Sequence, residues 1–590
     1  MKVIRLLASL AMTGSFVGCT QTGTESDTQP ALEAEVIVVG AGLSGLAAAV
    51  EMGRAGVNVL LVDMNSVMGG HAVMAGGFAI ADTPLQQRLG YEDTPDKAYA
   101  DWMAWTDDGN LDWTRFYAEN SREYIYDWLA AINVEFVRVQ GGWENSVPRF
   151  HFTPRGALDV VLGLYRTALN MPNVAFEWNA NVESLLVDGD RVGGVGVRNL
   201  RSGAERTLRS QYVVLATGGF AGNLERVLEH WRTDLPRPDR LLLGASPHAQ
   251  GSGHDLASAA GAALQWMDRH YIYTNGMVDP RDPNATLAIT AANGDSLWVN
   301  AQGQRFTNED GFDKKILAHM FAQQPKTYWA IFDEDSRDAF SMRGREWINN
   351  RSPGHMVLDN AKATHKAESL AALAAATGLP ADALTASVAR FNELIAAGHD
   401  TDFGRFASRA QAPPAIDSPP YYAIQFWPMP RKSMGGVAVD LETRVLDRAG
   451  SVIPGLYAVG ELTGSVGING THGMDGMFLG PALVTGKVAG ESIAAAHAAS
   501  AQTLAIAARA PEQALPDPAS WNIALTAEDL RGLLATSREG YWHFEISHAL
   551  VLERGYDCAM CHSARVPFAP VANTQSKLAQ AGVCANCHGR

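Results

Sequence analysis

Two short stretches near the carboxyl end hold residues spaced for redox chemistry: Cys558-Ala-Met-Cys561-His562 and Cys584-Ala-Asn-Cys587-His588. A cysteine pair at this spacing can add across the two vinyl groups of one porphyrin, and the adjoining histidine is placed to ligate the iron. A lone CxxC would read as a redox dithiol or half a zinc site. Both copies here end in histidine, so the expectation is two c-type haems with His562 and His588 as axial ligands. Each iron then needs a sixth ligand, and His543 and His548, just upstream of the first pair, are the candidates for bis-histidine, low-spin electron transfer. Met560, inside the first loop, is badly placed for that same iron. The fifth cysteine is Cys19, so no structural disulfide can form without breaking one of these sites.

A second constellation lies near the other end. Glu35-Val-Ile-Val-Val-Gly40 reads as a buried strand running into Gly40-Ala-Gly42-Leu-Ser-Gly45, a predicted helix from Leu46 to Ala55, and a second strand from Val57 to Val62 that ends at Asp63. This is a dinucleotide-binding βαβ pattern in its full context. Gly40 permits the tight turn, Gly42 lets backbone approach a pyrophosphate at a helix N-terminus, and Gly45 lets helix and strand pack closely. Asp63 is spaced to accept a hydrogen bond from a ribose hydroxyl. Three further segments fit FAD better than NAD: Gly69-Gly70 after the second strand, the strand and turn Val213-Val-Leu-Ala-Thr217-Gly218-Gly219, and Ile453-Pro-Gly-Leu-Tyr-Ala-Val-Gly460-Glu461.

Together these segments resemble the fumarate reductase and succinate dehydrogenase flavoprotein superfamily, in particular its flavocytochrome c branch, over about residues 35 to 495. The resemblance implies an α/β FAD-binding (Rossmann-like) domain with an inserted α+β capping domain, followed by a small, mostly irregular or helical C-terminal dihaem cytochrome domain. It also implies that Glu461 contacts the ribitol or ribose region of FAD. The stretch Gly476-Met-Phe-Leu479-Gly480-Pro-Ala482 would aim a helix N-terminus at the flavin pyrimidine, where negative charge gathers on reduction. His71 follows Gly69-Gly70, near where succinate dehydrogenases attach FAD covalently, but its spacing to the glycines is one residue shorter. That favours a noncovalent contact.

The substrate-binding positions depart from the resemblance. The run Gly303-Gln-Arg305-Phe-Thr-Asn308-Glu309 is present, yet Asp310-Gly-Phe-Asp313-Lys314-Lys315 follows with no arginine to act as proton donor; Asp313 stands nearest to that position. The family's upstream glutamate and arginine fall near Ile289 and Ala292, its carboxylate-binding histidine becomes Lys432 in Lys432-Ser433-Met434-Gly435-Gly436, and the loop after Glu461 lacks the clamping arginine. A dicarboxylate needs paired cationic anchors and an acid, so fumarate is not the expected substrate. Tyr273, Arg431, Lys432, His472 and Asp475 remain as the polar set that could converge over the flavin, with tyrosine or histidine as acid or base and Arg431 or Lys432 as anion or oxyanion contact.

Compartment and organisation follow from the rest of the chain. Its 590 residues carry a formal charge of −16 and no dense basic patch, which argues against nucleic acid and favours a basic redox partner. Lys2 and Arg5 precede the short apolar run Leu6 to Val17, and Phe16-Val-Gly-Cys19 resembles a bacterial lipobox, with cleavage expected before Cys19. The alternative is a secretory signal with an incidental cysteine, but no A-x-A site lies nearby. Either way the expectation is export to the periplasmic side, with membrane contact through a lipidated Cys19. The expected segments are a signal peptide (1–18), a polar tether (19–33), the FAD-binding domain (34–270 and 431–497), the capping domain (271–430), a proline- and alanine-rich linker (498–520) and the dihaem domain (521–590). The function expected is an oxidoreductase with one FAD and two haems c. It would transfer hydride at flavin N5 to or from a C–C bond conjugated to a carbonyl or carboxylate, and exchange electrons with a cytochrome or quinol-oxidising protein. Two alternatives stand beside it: a non-enzymatic electron relay, and a dehydrogenase passing substrate electrons outward.

Overall fold

The computed structural model describes residues 32–499, apart from 66, 143, 201, 281, 311–313, 344–356 and 409–411. The signal peptide, tether, linker and both haem sites, with Cys19, His543, His548, Cys558, Cys561, His562, Cys584, Cys587 and His588, lie outside the described residues, as does Asp313.

The chain begins with β1 (Val36–Val39), α1 (Leu43–Arg54) and β2 (Val59–Asp63). All four residues of β1 are apolar and buried because both faces of its sheet are covered, the signature of a parallel strand. The helix starts at Leu43, three residues before the sequence expectation, because Gly45 belongs to its first turn. A Cβ on Gly45 would sit 1.9 Å from the Gly40 carbonyl oxygen, so the turn closes only without one. Next come α2 (Pro95–Thr106), whose Thr94 side chain accepts from the Lys97 N–H, then β3 (Val174–Trp178) and β4 (Tyr212–Leu215). After a long stretch that begins with β5 (His270–Val278) and ends with β6 (Tyr421–Ser433), the chain returns through β7 (Val452–Ala458) to α3 (Leu479–Ala499).

The first sheet runs β7-β4-β1-β2-β3, all parallel, with Arg444–Leu446 added antiparallel outside β7. Because β1 has β2 on one side and β4 on the other, the strand order reverses there and leaves a crevice at the carboxyl ends of the strands. Gly40, Thr217 and Glu461 all follow such ends. Helix α3 crosses α1 closely, since a Cβ on Gly486 would meet the Ser44 carbonyl oxygen at 2.2 Å. Among the described residues no helix is long and apolar enough to cross a membrane.

The second sheet is built on the antiparallel pair β5 and β6, in which Tyr271 lies opposite Lys432 and Tyr273 opposite Met429. Tyr328–Asp333 and Leu297–Val299 extend it beyond β6, and Ala288–Asn293 and Phe340–Arg343 beyond β5. Phe332, Tyr422 and Phe426 pack on one face, while the helix Ala381–Ala397 covers the other with Leu384, Val388 and Phe391. The run Gly303 to Glu309 serves the region of this second sheet as an ionic clamp. Buried Arg305 donates to Glu309 at 2.7 Å through both Nε and Nη2, and to Asp400 at 2.8 and 3.1 Å. Residues 430 and 431 both lie inside β6, which runs from the second sheet to Lys432 at the edge of the nucleotide groove without a break.

Candidate active site

The crevice at the switch point holds about 1630 Å³ of empty space, open mouth included. Gly40, Gly42, Asp63, Gly69, Gly70 and His71 line one side, and Thr217, Gly218, Glu461 and Leu479 the other. Gly40 turns at φ +110°, and a side chain there would strike the Ala216 carbonyl oxygen. At Gly42 and Gly218 an added Cβ would find nothing within 4 Å, so both glycines leave backbone facing open groove. The buried Thr217 hydroxyl has no hydrogen-bond partner among the described residues. A bare glycine floor with an unsatisfied hydroxyl is what a bound dinucleotide would complete, so the residues present fit FAD. Asp63, its carboxyl pushed up by burial, accepts 2.7 Å bonds from the Ala41 and Asn65 N–H groups at the groove edge. Glu461 Oε1 accepts from the Ser433 N–H and hydroxyl, both at 3.0 Å. Two of the expected cofactor residues act one layer behind: Gly45 in the first turn of α1, and Gly480, whose missing side chain admits the Tyr117 hydroxyl.

Lys432 lines the same groove and sits 5.7 Å from the centre of the Phe478 ring, which also lines it. Burial lowers the Lys432 ammonium to about 8, with the nearby Glu461 charge opposing that shift. Tyr271 stacks on the other side of this wall, its ring 5.1 Å from Phe478, and Tyr273 meets Tyr271 edge-on at 5.0 Å. Of the five polar candidates, Lys432, Tyr273 and Asp475 are therefore gathered around Tyr271. Arg431 donates to the Gly244 carbonyl instead. His472 Nε2 lies 3.2 Å from Asp107, which also holds Lys314 at 2.8 Å. Burial, then the Lys314 charge, keeps the His472 imidazole below its usual range.

The loop carrying His472 and Asp475 is tied down by α2 and the turn after it. Trp105 Nε1 donates to the Gly473 carbonyl at 3.2 Å, and Asp108 accepts from the Thr471 N–H at 2.7 Å. Gly473 is required here, because its Cβ would lie 2.5 Å from the Tyr271 ring. Against this loop lies Glu144, only 8% exposed, whose carboxyl receives the Asp475 N–H. Burial raises Glu144 to about 7 and the Asp475 charge adds to it; the Tyr271 hydroxyl is pushed up by burial and then by Asp475, Tyr273 and Glu144. Sequence reading singled out neither Glu144 nor Tyr271 for this role. Tyr271 shares the period-two face of β5 with Tyr273, a signal that was available. Glu144 stands in Gly141-Gly142-Trp143-Glu144-Asn145, which carries no motif.

The FAD binding domain family matches residues 35–479. The chain belongs to this family. As an FAD binding domain protein it is an FAD-dependent oxidoreductase, and the reading as a non-enzymatic relay has no support from that membership. It is 32% identical to a fumarate reductase (cytochrome) of Shewanella frigidimarina over 466 residues, 78% of this chain and 77% of the relative. A KsdD-like steroid dehydrogenase of Mycobacterium tuberculosis is 29% identical, with 82% of this chain and 99% of the relative covered. The open conformation of a flavocytochrome c3 fumarate reductase superposes with a TM-score of 0.65 at 26% identity, covering 79% of each chain. FAD binding domain proteins related to this one thus carry both fumarate reductase and steroid dehydrogenase names.

Proposed function

We propose that this protein reduces or forms a C–C double bond next to a ketone-type carbonyl in a substrate without paired carboxylates, and exchanges the electrons through two c-type haems at its carboxyl end, on the exported side of a lipid-anchored membrane attachment. The observation that carries the substrate class is the wall beside the flavin groove: Lys432 lies over the Phe478 ring with Glu461 as its nearby carboxylate, and two further carboxylates, Glu144 and Asp475, lie near Tyr271. A dicarboxylate entering here would meet like charge and a single cationic contact. A carbonyl oxygen would meet Lys432, and an apolar ring or chain would lie against Tyr271 and Phe478. The likeness to a steroid dehydrogenase supports the same reading.

Bound FAD supplies two-electron hydride chemistry. The chain's own residues do the rest. Lys432, still charged below pH about 8, stabilises the oxyanion that develops as the double bond is polarised. Tyr271 or Tyr273 gives or takes the proton at the carbon next to the carbonyl, and the rings of Tyr271 and Phe478 exclude water from it.

An anaerobic screen read at the haem absorbance tests the reading. Cyclic or extended enones should reoxidise the dithionite-reduced protein, or the matching saturated ketones should reduce the oxidised one, which sets the direction. Oxidation by fumarate with no response to any enone or ketone would overturn the substrate class; a haem spectrum absent from the full-length protein would overturn the electron route.

A further inference from the structure

The buried carboxyl of Glu144 is unusual in its surroundings. Its Oε1 has no hydrogen-bond partner among the described residues; the Asp475 side chain and N–H lie beside it, and its charge reaches Tyr271 of β5 without a hydrogen bond between them. Nearby cations are committed elsewhere: Arg149, on the same segment, donates to Asp93, Asp101 and Asn145, and Arg431 to the Gly244 carbonyl. A carboxylate buried beside a like charge and without a cation is costly, whereas a neutral carboxylic acid at the same place is not. Burial raises this group to about 7, where it can both give and take a proton at working pH.

We propose that Glu144 holds the proton of the reaction and acts through Tyr271, a role that rests on the C–C hydride reading above. In the reducing direction the substrate double bond gains a hydride, with both electrons, on one carbon and a proton on the other. Bound FAD would supply the hydride and the Tyr271 hydroxyl the proton; Glu144, with no hydrogen bond to Tyr271, would restore that proton through solvent and is itself reprotonated by solvent. In the oxidising direction the same groups take the proton up in reverse order. Glu144 is thus a positioning and proton-holding residue, one group removed from the substrate. Asp475 sets its readiness, because its negative charge favours the protonated form.

Infrared difference spectra of the full-length, FAD-loaded protein, wild type minus E144Q, test this without any substrate. They should show a protonated-carboxyl C=O band that disappears as pH rises through about 7. The D475N variant should move that midpoint to lower pH, since the like charge is gone. E144Q matches the neutral acid in size, so it should keep the fold and the flavin, yet lose the limb near pH 7 from the profile of turnover. Absence of the band at every pH above about 5, a midpoint that D475N leaves in place, or a wild-type pH profile in E144Q would each overturn the proposal. If instead the band and its shift are present while no enone or ketone turns over, the C–C reading fails and the proton-holding carboxyl stands.

Discussion

Gly40, Gly42 and Gly218 shape the nucleotide groove by the side chains they lack, whereas the wall beside it depends on side chains, Tyr271, Lys432 and Phe478, delivered from three distant segments. At Gly40 and Gly45 there is no room for an added atom because backbone comes close to backbone, while at Gly42 and Gly218 the space left open is the groove itself. The wall tolerates shape changes better and charge changes worse, since its working property is which ionisable groups share a buried space. Binding of the cofactor and choice of chemistry are therefore separable, and substitutions should divide the same way.

The largest effect expected is at Gly45. A valine there would press on the Gly40 carbonyl, 1.9 Å from the first added carbon, and should abolish bound flavin altogether. Flavin absorbance per purified chain checks it, and a flavin-loaded G45V would break the argument that the groove is built on absence. Next is Arg305, far from the groove. R305A leaves Asp400 buried without its cation and Glu309 with only Arg405 at 3.5 Å, and should destabilise the second sheet's region by about 3–5 kcal/mol. Denaturant unfolding should show that loss, and an unchanged midpoint would mean that the clamp contributes nothing. The smallest structural effect with a sharp functional one belongs to Lys432. K432M should keep its flavin and fold but lose roughly 10²–10³-fold in turnover. In the wild type, turnover should fall as pH rises through about 8, where Lys432 gives up its proton, and K432M should lack that fall. Equal loss of flavin and turnover in K432M would merge the two regions that the comparison separates.

Much of the first region was legible beforehand. The strand, the glycine turn, Asp63, Gly69-Gly70, Thr217 and Glu461 could each be placed from local pattern, and they line one groove. The helix starts about one turn before the position the sequence predicts, because a glycine that packs inside a helix looks, in sequence, like one that precedes it. The second region was legible only as a pool of candidates. Nothing local distinguishes Arg431 from Lys432, yet one donates to a carbonyl of the Gly244 loop and the other faces the groove, because Arg431 is the extra residue of an irregularity between the Tyr271–Lys432 and Ile272–Pro430 pairs. His472 and Asp475 share a loop but not a destination: Asp107 holds the first, and the second meets Glu144.

What the order of residues settled by itself was the nucleotide site and the kind of chemistry it hosts. A tight turn that feeds backbone N–H groups to a phosphate is a short-range requirement, met by glycines at set spacing. What only the folded chain decided was which acids and bases meet beside that site and in what state. A pKa depends on burial and on charges brought close from far along the chain. Glu144 became an acid poised near neutrality only because the loop of Asp475 and the strand of Tyr271 closed over it.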